Sequence, residues 1–125
     1  MLFRSERGIK ARPDRADVFQ AKGWLEERLM RFDDAIKTYG RLYDLAYRDP
    51  QWMIRIAELR ARSGQNSEAV SALKTAIIGA RTETVDADFE IAGQLESWHI
   101  LPDAVTFAER GARLAEVTEI GRAHV

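Results

Sequence analysis

Small residues recur along this chain at intervals of 34 and 35. Ala35, Ala69 and Ala104 fall into one register, each followed by a β-branched residue, Ile36, Val70 or Val105. Gly23, Ala57 and Ala92 fall into a second register with the same two intervals, Tyr39, Leu73 and Ala108 into a third, and Gly8, Leu42, Ala76 and Gly111 into a fourth. A period of this length marks a chain built by stacking one supersecondary unit, because a single unit cannot bury its own apolar face. The stretches SERGIKARPD, residues 5 to 14, and FAERGARLAE, residues 107 to 116, resemble each other because they hold one place in that unit, three periods apart.

Each unit reads as two helices. In the middle unit Met53, Ile56 and Ala57, and then Val70, Leu73, Ala76 and Ile77, follow the three-four spacing of amphipathic helices. Gly64 separates the two runs, and Asn66 or Ser67 is expected to cap the second helix by accepting from an unpaired first-turn amide. Asp33 holds the capping place in the unit before. Leu101-Pro102-Asp103 holds it in the unit after, where proline suits a first turn that needs no amide partner. Pro13 and Pro50 are expected to end the helices before them. The small residues let two helices approach closely, so about seven helices are predicted, with Ala35, Ala57, Ala69, Ala92 and Ala104 buried between neighbours.

At these residues the chain resembles the tetratricopeptide repeat, a helix-turn-helix of about 34 residues. The resemblance implies an all-α, right-handed α-solenoid of antiparallel helix pairs. It divides the chain into residues 1–15, the second helix of an earlier unit, and three repeats at 16–49, 50–84 and 85–118. Lys22 stands where the family prefers leucine, Glu26 and Arg60 stand where it often has an aromatic or apolar residue, and Pro50 comes about three residues late, so the first repeat is expected to pack loosely or to end in a longer turn. Residues 119–125, EIGRAHV, match over all seven positions the translation of a sequencing-library adaptor. They are read as a non-native tail on a fragment of a longer array, with a closing turn expected after Leu114-Ala115 and an interruption at Gly121.

Composition narrows the function. With 46% apolar and 31% charged residues the chain suits a packed, soluble domain, and no run of about 18 apolar residues suggests a membrane span. The absence of cysteine removes disulfides, thiolate metal sites and a cysteine nucleophile. Residues 1–15 carry a net +3, leaving −4 for the rest, which argues against a nucleic-acid footprint. His99 lies at a turn beside Trp98, with no second histidine near in sequence. The acidic groups Glu26-Glu27, Asp33-Asp34 and Asp86-Ala87-Asp88 read as solvated faces and caps, since adjacent helical side chains diverge. No catalytic residue, cofactor or metal ligand set is expected.

Tetratricopeptide arrays hold peptides or protein partners on the concave face made by their first helices. The resemblance places that face at Gln20, Trp24, Glu27 and Arg28, then Ile54, Glu58 and Arg62, then Phe89, Gly93 and Glu96. Trp24, Ile54 and Phe89 would anchor a partner, and Arg28 and Arg62 would pair with a carboxylate. The family's carboxylate clamp for chaperone tails needs lysine and asparagine where this chain has Gln20, Trp24, Ile54 and Glu58. A non-enzymatic protein-interaction scaffold is therefore the expectation, with self-association through uncapped ends as a further one. A regulatory or docking segment of a larger enzyme or transcription regulator is the alternative, and RNA recognition by helical repeats a remote one. No leader is evident and the compartment is cytoplasmic by default, the native N-terminus being expected to lie upstream.

Overall fold

A computed structural model describes residues 15–79 and 81–123. The described residues form six helices: α1 (Ala16–Arg28), α2 (Phe32–Leu45), α3 (Pro50–Arg62), α4 (Asn66–Ile77), α5 (Val85–Ser97) and α6 (Leu101–Ala123). No strand occurs among the described residues. The helix expected over residues 1–15 lies outside them but for Arg15. The helices form three antiparallel pairs, α1 with α2, α3 with α4 and α5 with α6, stacked in chain order as an all-α helical-repeat solenoid.

The turn inside each pair is the same turn three times. Met30, Gly64 and His99, separated by the repeat intervals, have φ of 62°, 78° and 60°. The residue after each donates its N–H back to the carbonyl five positions earlier: Arg31 to Glu26, Gln65 to Arg60 and Ile100 to Leu95, at 2.9, 2.8 and 2.9 Å. This left-handed ending satisfies the last carbonyls of the first helix and turns the chain back at once. Only Gly64 adopts that φ without a Cβ penalty. His99 thus has a structural reason for its place.

The small residues sit where the two helices of a pair cross. Ala35, Ala57 and Ala69 are fully buried, and Ala92 and Ala104 nearly so. At Gly23 a Cβ would stand 2.8 Å from the Tyr39 ring, so the aromatic residue of α2 fills the space that glycine leaves on α1. Ala35, Ile36, Tyr39 and Leu42 of α2 form one core cluster with Ile56 and Leu59 of α3. A second cluster joins Ala57 and Leu73 to Ile91, Leu95 and Phe107. The core thus runs from unit to unit. On α6 the register counterparts of Phe32 and Ile36 are Leu101 and Val105, and both are exposed.

Several local expectations are corrected. Neither Asn66 nor Asp33 caps a helix: α4 begins at Asn66 after Gln65, α2 begins at Phe32 after Arg31, and neither N-cap makes a side-chain bond. The tight left-handed turn leaves no extended residue there to aim a cap. The side-chain caps occur instead between units, where the chain is extended. Asp49 accepts from the Gln51 amide and Thr84 from the Ala87 amide, both at 3.1 Å. Pro50 opens α3 rather than closing α2, which ends at Leu45. α6 continues through Ala115 and Gly121 to Ala123, since one glycine in a helix costs only about 1 kcal/mol. The first pair replaces apolar contact by a polar bridge: Lys22 Nζ donates to Glu26 and to Thr38 Oγ1, at 2.8 and 3.0 Å. Asp88, expected on a solvated face, is fully buried.

Candidate partner-binding groove

Between α1 and α3 the stack opens into a concavity of about 550 Å³, lined by Asp17, Gln20, Ala21 and Trp24 of α1, Tyr39 of α2, and Gln51, Trp52 and Arg55 of α3. Its position follows from the repeat. α1 and α3 are the first helices of adjacent units, and Tyr39 fills the core behind them and forms the floor. Tyr39 and Trp52 stack with ring centroids 5.9 Å apart and planes 10° from parallel. Trp24, 48% exposed, also lines the concavity, and the Arg28 guanidinium lies 4.7 Å from its ring centroid.

Behind the aromatic floor is a polar knot. The buried Glu27 carboxylate accepts from the Tyr39 hydroxyl and, at 3.0 Å, from Arg55 Nε. Arg55 also donates to Glu58 at 3.3 Å, and Arg62 Nη1 stands 3.9 Å from Glu27. Burial first, and then the Glu27 carboxylate, push the Tyr39 hydroxyl up to about 12, so it remains a donor at ordinary pH. The charged side chains that line the concavity are matched within the molecule, since Asp17 pairs with Arg15 at its mouth and Arg55 with two carboxylates, while Arg28 lies over the Trp24 ring. What this surface offers a ligand is ring faces and side-chain amides.

The residues chosen from sequence are distributed unevenly over this structure. Gln20 and Trp24 line the concavity. Glu27 lies behind it as a buried acceptor, because its side chain turns inward to Tyr39 and Arg55. Arg28 stacks on Trp24, and Arg62 stacks on Phe32 at 4.8 Å, so each arginine already lies over an aromatic face. Glu58 pairs with Arg55 rather than with Arg62. Ile54 packs half-buried against the second core cluster. Phe89, Gly93 and Glu96 line a separate concavity of about 480 Å³ with Leu101, Val105 and Ala108 of α6.

Sequence reasoning missed Asp17, Ala21, Tyr39, Gln51, Trp52 and Arg55. The signal was present in register: Asp17 and Gln51 share one repeat position and Ala21 and Arg55 another, each next to the face that was chosen. Among the described residues no group of three or more His, Cys, Asp or Glu could hold a metal ion, and no helix is long and apolar enough to cross a membrane.

No family model and no curated protein matches the chain. Among solved structures it is similar to MamA (MSR-1 C2), a TPR-like protein, with a TM-score of 0.56 and 20% sequence identity over 91% of this chain. The fold is that of a TPR-like helical repeat. The chain spans 65% of the length of that neighbour, and at this identity the likeness is one of fold.

Proposed function

We propose that this chain is a non-catalytic interaction scaffold that holds a peptide or protein segment in the concavity between α1 and α3. The observation that carries the reading is the lining itself: Trp24 and the stacked Trp52 and Tyr39 line one open groove, in which Arg55 is paired with buried and half-buried carboxylates. Rigid aromatic faces supply contact area at low cost in side-chain entropy, and such residues dominate binding energy at interfaces. The Gln20 amide at the rim can donate and accept, and the Gln51 amide, whose Nε2 donates to Asp49 at 2.8 Å, keeps its carbonyl and one N–H, which suits the backbone of an extended segment. The TPR-like fold supports protein partners in general.

Peptides selected from a displayed library against the whole chain provide the test. Trp24→Ala and Trp52→Ala are each expected to weaken a selected peptide by about tenfold or more, as removal of an anchoring aromatic does. Lys37→Glu, at an exposed position of α2, is expected to leave affinity unchanged. Titration by fluorescence anisotropy reads both. A peptide that binds both tryptophan variants at full strength would contradict the proposal.

A further inference from the structure

The third unit departs from the other two at linked positions. Phe19, Met53 and Asp88 share one register, so an acidic residue stands where the earlier units have large apolar ones. Across the helix crossing, Gly111 replaces Leu42 and Ala76, and a Cβ there would lie 3.2 Å from the Asp88 Cβ. Asp88 is fully buried, and neither of its carboxylate oxygens has a hydrogen-bond partner. A carboxylate in that setting costs free energy as long as it is charged.

Its surroundings sharpen the conflict. Glu83, from the segment before α5, is the neighbouring carboxylate, and it is Glu83 that takes the ion pair with Arg110 of α6, at 2.8 Å. The charges of Arg110 and of Lys74 on α4 offset the repulsion in part. Burial first, and then Glu83, push the Asp88 carboxyl up to about 6. α5 also touches α4 much more sparingly than α3 touches α2, so this junction between units is the looser of the two.

We propose that a proton on Asp88 holds the α5–α6 hairpin closed, and that its loss loosens this hairpin while α1–α3 stay closed. The sign follows from linkage. A carboxyl raised in the closed state and ordinary in the open one stabilises the closed state fully below about pH 4, and the effect is lost as pH rises through about 6. The device is independent of whether the groove between α1 and α3 holds a partner.

Amide hydrogen exchange on the whole chain tests this, with rates corrected for intrinsic chemistry. Opening of α5 and α6 is expected to be about tenfold more frequent at pH 7.5 than at pH 5, with α1–α3 unchanged. A His99→Gln background removes the exposed imidazole of the hairpin turn from the comparison. Asp88→Asn, or Asp88→Met on the pattern of the second unit, should abolish the pH dependence. If neither folds, Glu83→Gln should reduce it. Exchange in α5 and α6 that does not vary with pH, a slope unchanged by these substitutions, or an equal change across all six helices would overturn the proposal.

Discussion

Tyr39→Ala is expected to lower the stability of the chain by about 4 kcal/mol, within the range for truncating a large buried aromatic. Tyr39 is only 2% exposed and meets two other helices at once. Its ring fills the space above Gly23 on α1 and stacks on Trp52 of α3, and its hydroxyl donates to the buried Glu27. Truncation therefore opens a cavity between two units and takes a donor from a buried carboxylate. Tyr39→Phe isolates the second effect and should cost about 2 kcal/mol, as expected for a hydrogen bond to a charged group. Urea denaturation followed by circular dichroism measures both. A loss under 1 kcal/mol for Tyr39→Ala would mean that this ring does not join the first two units.

Arg55→Met is expected to cost about 2 kcal/mol, because it leaves Glu27 charged and buried with Tyr39 as its remaining hydrogen-bond donor. The cost stays below that of a fully buried pair, since Arg55 is 38% exposed and solvent screens part of the interaction. Arg62, at 3.9 Å from Glu27, supplies some residual attraction. Adding Glu27→Gln should recover at least half the loss. Glutamine removes the stranded charge and still accepts from the Tyr39 hydroxyl. A double variant less stable than Arg55→Met alone would show that Glu27 contributes through something other than its charge.

Much of the fold was legible in the sequence because close helix crossings impose the same steric demand on every unit. That demand wrote small residues at Ala35, Ala69 and Ala104 and at Gly23, Ala57 and Ala92, and all six are buried. The turns were legible only in part. A left-handed residue ends the first helix of each pair, yet only Gly64 signals it plainly, since Met30 is a residue type that seldom adopts that conformation and histidine adopts it far less readily than glycine.

The site was harder to read. Trp24 and Gln20 were found because they lie on the face that the register picks, whereas Trp52 and Tyr39 form the groove floor through a stack between different units, which no local pattern encodes. Glu27 misled because a long side chain can turn into the core as readily as into the groove, and its inward partners lie 12 and 28 residues away. Asp88 misled more. Its neighbours Asp86 and Glu90 are exposed, so the acidic run looked solvated, and only the three-dimensional crossing at Gly111 places it inside.

On the proposed reading, the groove between α1 and α3 meets a partner. A nuclear magnetic resonance titration of the isotope-labelled chain with a display-selected peptide tests it most directly. The indole signals of Trp24 and Trp52 and the amides of Gln20, Gln51 and Arg55 are expected to shift together, while exposed positions on α2 and α4 such as Lys37, Arg41 and Ser71 stay in place. Shifts confined to those exposed positions, with both indoles unmoved at saturation, would contradict it.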